Sequence, residues 1–558
     1  SFDKKVEDAI DAVKVMLGSQ VPEEQKRFFA IKLLERDDKI VEQLNTVPDV
    51  SNEIKALEDA FDDDTESIIT NERYVYISSV VADSCKKNGA KKLTTSDKID
   101  RIVTNRILGI PIFILVMWTV YYISVTTVGT FVTDWTNDTF VAEMIQPAAQ
   151  SFLKGIGASA AIQDLIVNGI IGGLGAVLGF VPQMAILFLF LSILEDCGYM
   201  VRIAFVMDRV FRHFGLSGKS FIPLLISSGC GIPGIMASKT IEQDNDRRLT
   251  IMTATFIPCG AKLPVIAMMG GVMTSYATGS YEAGGLMAPC MYFIGIVAVL
   301  VAAIILKKTK PFSGKPAPFV MELPQYHIPS LKGVLLHVWE RVWAFLKKAG
   351  TILFICCAVM WFLGTFGIQN GTFGMVNGSF GAVEDPGNSL LAVIGGAIAP
   401  IFAPLGFDNW KAVAASLSGF SAKESIVSTM GVLANVTGDA SEDAVTVAEA
   451  VRTWFPSAVA AFSFLLFNLL DSPCLAAIST MAKEMQSRKW FWFAILFQNI
   501  FSYVVTLIVY QIGTFATGGA FTVGTAVGIV LLLVMLFLLF RPDPYKDQKV
   551  YSKRSVQA

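Results

Sequence analysis

The sequence predicts an all-α fold: a polytopic helical membrane protein with two inverted repeats of broken, re-entrant helices, preceded by a small cytosolic helical bundle. Three observations predict it. Hydrophobic residues make up 53% of the 558-residue chain and charged residues 16%, against about 25% charge in a typical soluble domain. The charge is segregated, with residues 1–100 acid-rich and almost everything after Ile107 apolar. Finally, glycine and proline interrupt the apolar runs at Ser228-Gly229-Cys230-Gly231-Ile232-Pro233-Gly234, Pro258-Cys259-Gly260-Ala261-Lys262-Leu263-Pro264, Ser418-Gly419-Phe420-Ser421-Ala422-Lys423-Glu424 and Asp471-Ser472-Pro473-Cys474. Such breaks free backbone groups that hydrocarbon cannot satisfy, so they persist where the chain lines an enclosed site.

Residues 1–95 read as a bundle of about four helices. Ala30, Leu33, Leu34, Val41 and Leu44 keep helical spacing between charged residues. Pro22 with Glu23 and Glu24 marks a helix start, because acidic residues suit the positive end of the dipole. Further helical patterns cover Ile54–Phe61 and Ile68–Val81. No catalytic constellation occurs here, so the bundle is expected to be regulatory or a spacer. The first residues lack the apolar core of a secretory signal peptide. The chain opens at Ser1, and upstream residues are expected to have been removed.

Residues 96–106 lead into the membrane. A spanning helix needs about 20 mostly apolar residues. Ile107–Val125, Gln183–Ile203, Leu249–Met273, Leu286–Leu306, Phe345–Phe366, Thr453–Thr480, Trp490–Ile512 and Thr522–Phe540 meet that need, about eight crossings with further partial ones. They divide into a first transmembrane region, 107–310, and a second, 345–541. Between them, 311–344 reads as a loop and an amphipathic helix, with Leu331, Leu335, Val338, Val342 and Leu346 on one face. This helix either lies in the inner interface or extends the following span.

Lysine and arginine set the orientation. They cluster at 98–106, 202–219, 239–248, 307–315 and 483–489, and in the basic tail 542–558. These segments and both termini are expected to be cytoplasmic. The segments 127–164, 274–285, 367–388 and 434–451 are nearly free of basic residues and are expected outside. Ser220–Lys239 then starts and ends inside, whereas Ile401–Leu433 starts and ends outside. One dips into the membrane from each leaflet, and each is followed by a span with a Pro-Cys break. Inverted repeats with a midplane site have this pattern.

The eight cysteines contain no CxxC pair, which argues against a structural zinc site or disulfide framework. Cys290, Cys356 and Cys357 read as small buried hydrophobes, and Met236, Met268 and Met269 as packing residues. Cys230, Cys259 and Cys474 differ, since their Gly and Pro neighbours expose carbonyls that join the sulfurs as possible cation ligands. Glu195, Asp196, Glu424 and Asp471 are further candidate metal ligands, because carboxylates in membrane segments are costly and usually functional. Gly229, Gly231, Pro233, Gly234, Pro258, Gly260, Pro264, Gly419, Ser421, Lys423 and Pro473 are candidate gate and hinge positions. Gly218-Lys219-Ser220 mimics the end of a phosphate-binding loop, but His213 stands where the pattern needs glycine. No catalytic residues and no bound cofactor are expected in this chain.

These residues resemble the ferrous iron transport protein B family of bacteria. The gate-like patterns that carry the resemblance are Leu194-Glu195-Asp196-Cys197-Gly198-Tyr199-Met200-Val201-Arg202, Phe214–Ser220, Gly229–Pro233, Cys259–Pro264 and Gly419–Glu424. Position 262 is Lys where Arg is expected to be common in that family. The resemblance implies Fe²⁺ uptake across the bacterial inner membrane, with Cys230, Cys259 and Cys474 on the metal path. It implies coupling to a G domain that binds GTP and Mg²⁺, which this sequence lacks and which is either removed or supplied separately. Residues 1–95 resemble the helical domain that joins the two. Expected partners are the lipid bilayer, Fe²⁺, the G domain, small accessory proteins and further copies of the chain, with no nucleic acid. Two alternatives stay open: a gate-type carrier of an organic solute such as a nucleoside, and a membrane redox or signalling protein exchanging disulfides.

Overall fold

A computed structural model describes residues 2–542, apart from 85–94, 282–286, 313–324, 375–388, 437–443 and the shorter stretches 19, 42, 45, 62–63, 106–107, 160–161, 164–165, 168–170, 172, 215, 217, 242, 370–371 and 435. The expected outer segments 127–164, 274–285, 367–388 and 434–451, the loop after Lys310 and the basic tail fall partly or wholly outside these residues. The chain divides into two compact units, one containing residues 1–101, 307–322 and 542–558, the other 102–306 and 323–541.

In the first unit, helices Lys4–Leu17, Glu23–Leu34, Ser51–Phe61 and Thr65–Ser84 form the bundle, with a single turn at Asp38–Val41. The Asp3 carboxylate accepts the Lys5 N–H at 2.9 Å and starts the first helix. Val6, Ile10, Val13 and Leu17 repeat at helical spacing and are buried with Leu33, Leu34, Ile54 and Ile69. Arg27 grips the Glu7 carboxylate with both terminal nitrogens, at 2.6 and 2.8 Å.

Among its described residues the regular structure of the second unit is helical apart from one short hairpin, Gly367–Gln369 with Thr372–Gly374. Among the described residues, Met287–Lys307, Ala458–Glu484, Arg488–Ala516 and Val523–Phe540 are long and apolar enough to cross a membrane. Val181–Asp196 with Tyr199–Asp208, bent by 77°, and Leu390–Leu405 with Trp410–Ser418, bent by 101°, would bring the number to six only if each bent pair were one span. The sequence suggested about eight. The expected crossing Gln183–Ile203 is bent because Gly198 adopts φ 85°, a conformation glycine takes at little cost. The expected crossing Leu249–Met273 is split into Asp244–Ala254 and Leu263–Thr278. The amphipathic run and the span after it are one helix, Leu331–Thr365. On that helix Val338, Val342 and Leu346 pack into a core with Met184, Phe188 and Leu191. Leu331 and Leu335 are exposed instead.

Two helical hairpins and two broken spans form the heart of this unit. The first hairpin joins Phe221–Gly229 to Gly231–Ala237 through Cys230 alone, whose backbone is extended at φ −151° and ψ 133°. Gly234 lets its arms touch. A side chain there would meet the Ser227 hydroxyl, the Ser227 nitrogen at 2.8 Å and the Pro223 carbonyl at 2.9 Å. The second hairpin joins Trp410–Ser418 to Ser425–Leu433 through Gly419–Glu424. At Gly419 an added side chain would meet the Ile426 side chain at 2.7 Å and force it to shift. The first broken span runs Asp244–Ala254, then a 3₁₀ turn at Gly260–Lys262, then Leu263–Thr278; the second runs Ala458–Leu470, then Leu475–Glu484. The second arm of each hairpin packs on the second half of the other repeat's broken span: Gly231–Ala237 on Leu475–Glu484, and Ser425–Leu433 on Leu263–Thr278. This reciprocal exchange is the packing expected of two inverted repeats.

Candidate functional site

The four breaks meet around one cavity of about 80 Å³. Its walls include Ser227, Gly229, Cys230 and Gly231 from the first hairpin, and Thr255, Cys259 and Lys262 from the first broken span. Ser421, Lys423 and Glu424 come from the second hairpin, and Pro473 and Cys474 from the second broken span.

The three lining thiols share a local geometry. Cys230, Cys259 and Cys474 are each the non-helical residue just before a helical segment, with ψ of 133°, 168° and 154°. Pro233, Pro258 and Pro473 lack the N–H that a continuous helix would use, which is why the chain opens there. At such an N-cap the following backbone N–H groups are unsatisfied. A thiolate formed on metal binding would therefore sit beside positive backbone ends rather than bare hydrocarbon. All three thiols are half-buried, and none is in a disulfide. They lie within electrostatic reach of one another, and Cys259 and Cys474 within reach of Lys262.

The charged groups behind the thiols are ordered. Lys423 Nζ donates to both Asp471 carboxylate oxygens, at 2.6 and 2.7 Å, with the lysine 2% exposed and the aspartate fully buried. Lys262 Nζ donates to the carbonyls of Leu469 at 2.6 Å and Thr255 at 3.2 Å. The Leu475 N–H donates to the Phe420 carbonyl at 2.7 Å, joining the second hairpin's break to that of the second span. Gln498 holds Met252 O and Thr255 Oγ1, both at 2.9 Å. Asn499 holds the Ser472 hydroxyl at 2.8 Å.

Of the sequence-derived ligands, Cys230, Cys259, Cys474 and Glu424 line the cavity, and Asp471 stands behind it on Lys423. Glu195 and Asp196 are elsewhere. Glu195 pairs with Arg341 at 2.7 Å, and the Asp196 carboxylate faces His327 at 3.7 Å. Both carboxylates end the helix Gly173–Asp196, just before its bend, and do not line the cavity. Among the described residues no three His, Cys, Asp or Glu side chains converge on one ion position. Among the described residues the cavity therefore shows no closed ligand cage. Of the hinge positions, Gly229, Gly231, Ser421, Lys423 and Pro473 line the cavity, while Pro233, Gly234, Pro258, Gly260, Pro264 and Gly419 do not. Cys290 is exposed, Met268 and Met269 are fully buried, and the side chains of Cys356 and Cys357 lie outside the described residues, as does Cys85. Lys262 was not among the sequence-derived ligands. Its signal was a single cation inside an otherwise apolar stretch, which is costly unless the group has work there.

A polytopic helical protein whose two inverted, broken repeats enclose a cavity at the break points is a membrane transporter by architecture. Three family models match the chain: the FeoB cytosolic helical domain over residues 2–86, a gate model described as nucleoside recognition over 177–273 and 346–488, and the ferrous iron transport protein B C terminus over 288–341. The chain is 34% identical to the Fe(2+) transporter FeoB of Staphylococcus aureus over 523 residues, 92% of this chain and 74% of that one. It is 36% identical to the Fe(2+) transporter FeoB of Methanocaldococcus jannaschii over 497 residues, 87% of this chain and 70% of that one. A Porphyromonas gingivalis Fe(2+) transport protein A/Fe(2+) transporter FeoB fusion protein is 31% identical over 560 residues, 92% of this chain and 64% of that one. No solved structure matches. The chain belongs to the Fe(2+) transporter FeoB family.

Proposed function

We propose that this chain carries Fe²⁺ across the bacterial inner membrane through the cavity between its two broken repeats. Cys230, Cys259 and Cys474 would meet the ion in succession. The placement of all three at breaks around one cavity is the observation that carries this reading. Each thiol must lose its proton to bind metal, so capture releases protons. A site with few simultaneous ligands suits transport, because conduction requires binding that also lets the ion leave. Fe²⁺ lies low in the affinity order, so thiolates alone would favour Zn²⁺ or Cu²⁺, and selection for iron rests on geometry, ligand number and metal supply.

The basic clusters support cytoplasmic termini and a cytoplasmic bundle at residues 1–95. Coupling to GTP and Mg²⁺ is assigned to a G domain outside residues 1–558. Small accessory proteins and further copies of the chain are candidate partners, and the fused transport protein A of the Porphyromonas gingivalis relative supports the first. The gate model's description keeps an organic solute in view. That reading expects a larger polar pocket with Asn, Gln or Ser; among its described residues the cavity wall holds Ser227 and Ser421 but no Asn or Gln, beside three thiols.

The test is Fe²⁺ uptake into proteoliposomes by the wild type and by Cys230→Ser, Cys259→Ser and Cys474→Ser, with Mn²⁺, Zn²⁺ and Co²⁺ as competitors. Each substitution should lower uptake. Unchanged uptake in all three, singly and combined, removes sulfur from the mechanism. Binding of a nucleoside with no metal response would favour the second reading.

A further inference from the structure

Lys262 occupies an unusual place. The helix Ala458–Leu470 loses a backbone donor at Pro473, the residue whose N–H would otherwise reach the Leu469 carbonyl. The helix Asp244–Ala254 ends at Thr255, with Pro258 close behind. Both first halves of the broken spans thus leave C-terminal carbonyls, carrying partial negative charge, deep in the protein. One ammonium takes a carbonyl from each: Lys262 Nζ lies 2.6 Å from Leu469 O and 3.2 Å from Thr255 O. Lys262 is 4% exposed.

The surroundings extend this oxygen cradle. A second, smaller cavity of about 10 Å³, roughly the room one water or small ion needs, is lined by Lys262, Lys423, Leu469 and Asn468 among others. Asn468 is 3% exposed. Its amide nitrogen donates to Ser416 Oγ at 3.1 Å and to Phe464 O at 3.0 Å, which fixes the amide's orientation. Its Oδ1 is buried without a hydrogen-bond partner. Asp471 is already paired with Lys423, so the Lys262 cation is matched chiefly by neutral oxygens. Converging half-helix carbonyl ends and neutral side-chain oxygens are what a desolvated Na⁺ or K⁺ binds in a broken-helix carrier.

We propose that the Lys262 ammonium is a tethered cation that fills a monovalent-cation site built by Leu469 O and Thr255 O, with the unpartnered Asn468 side-chain oxygen on the wall of the adjoining cavity. The chain then supplies its own co-ion, and the two repeats are held together at their breaks without Na⁺ or K⁺. The inference goes beyond the proposed function and does not depend on which ion is the cargo.

The test follows thermal unfolding of the full chain in detergent, in chloride salts of Na⁺, K⁺ and N-methyl-D-glucamine at equal ionic strength. The wild type should unfold at one temperature in all three. Lys262→Met keeps the stem and removes the charge. It should unfold several degrees lower in N-methyl-D-glucamine and recover saturably with Na⁺ or K⁺, because an ion that binds only the folded state stabilises it by mass action. Lys262→Arg, which retains a cation, should not respond. Equal destabilisation of Lys262→Met in every salt overturns the proposal, as does a selective Na⁺ or K⁺ response of the wild type. Failure to obtain folded Lys262→Met with Na⁺ or K⁺ present throughout purification also counts against it, since the ion should replace the ammonium.

Discussion

Lys423 on the second hairpin and Asp471 at the break of the second span form a two-pronged ion pair at 2.6 and 2.7 Å, sealed from solvent. The pair fixes two breaks against each other at the wall of the thiol cavity. Removing one partner strands the other charge, which costs about 3–5 kcal/mol for a buried pair. Lys423→Met and Asp471→Leu should each lower the unfolding temperature strongly. The double substitution should be milder than the sum of the singles, since it leaves no orphan charge. A double-mutant cycle on thermal unfolding checks this, and additive losses would show that the pair is not coupled.

Two glycines of the first hairpin should behave oppositely. Any side chain at Gly234 runs into Ser227 and the Pro223 carbonyl, so Gly234→Ala should overpack the hairpin and destabilise by about 1–3 kcal/mol. At Gly231 the nearest atoms to an added Cβ are 3.9 Å away. Gly231→Ala should therefore fold normally while narrowing the cavity and slowing Fe²⁺ uptake. Folded yield and uptake, measured for both variants, separate the two effects.

Glu195 is 57% exposed and its partner Arg341 32% exposed, so their ion pair is worth at most about 1 kcal/mol. Glu195→Ala should leave both uptake and unfolding temperature nearly unchanged. A large loss of uptake would return this carboxylate to the ion path.

In the N-terminal bundle, the Arg27 guanidinium bonded to Glu7 holds that carboxyl down at about 2. A depressed folded value means that the contribution to stability is complete above the ordinary value of about 4.5 and fades as pH falls towards 2. The protection factors of the Val6, Ile10 and Val13 amides in the full chain, corrected for the intrinsic pH dependence of exchange, should fall across that window. In Glu7→Gln the part of that fall due to this pair should vanish.

Much of this architecture was legible because glycine and proline in apolar runs can hardly mean anything but broken helices. Cys230, Cys259 and Cys474 were found from their Gly and Pro neighbours, and the inverted relation from where basic residues stop. What sequence could not supply was direction in space. Glu195, Asp196 and Glu424 look alike as acids in apolar stretches, yet only Glu424 borders the cavity. The bend at Gly198 needs a positive φ, which composition does not announce. The continuity of Leu331–Thr365 is one of the two readings the sequence leaves open, because one helix changes from interfacial to apolar character along its length. Lys262 stands in the sequence only as a basic residue inside a gate-like pattern, because its carbonyl partner Leu469 lies 207 residues away.

The account rests on sulfur meeting the ion inside the cavity, and X-ray absorption at the iron edge of the Fe²⁺-loaded protein, kept anaerobic and reduced, reads that directly. Sulfur should stand among the iron's nearest neighbours in the wild type and diminish stepwise in Cys230→Ser, Cys259→Ser and Cys474→Ser. A spectrum with only oxygen and nitrogen neighbours, unchanged by the three substitutions, would contradict it.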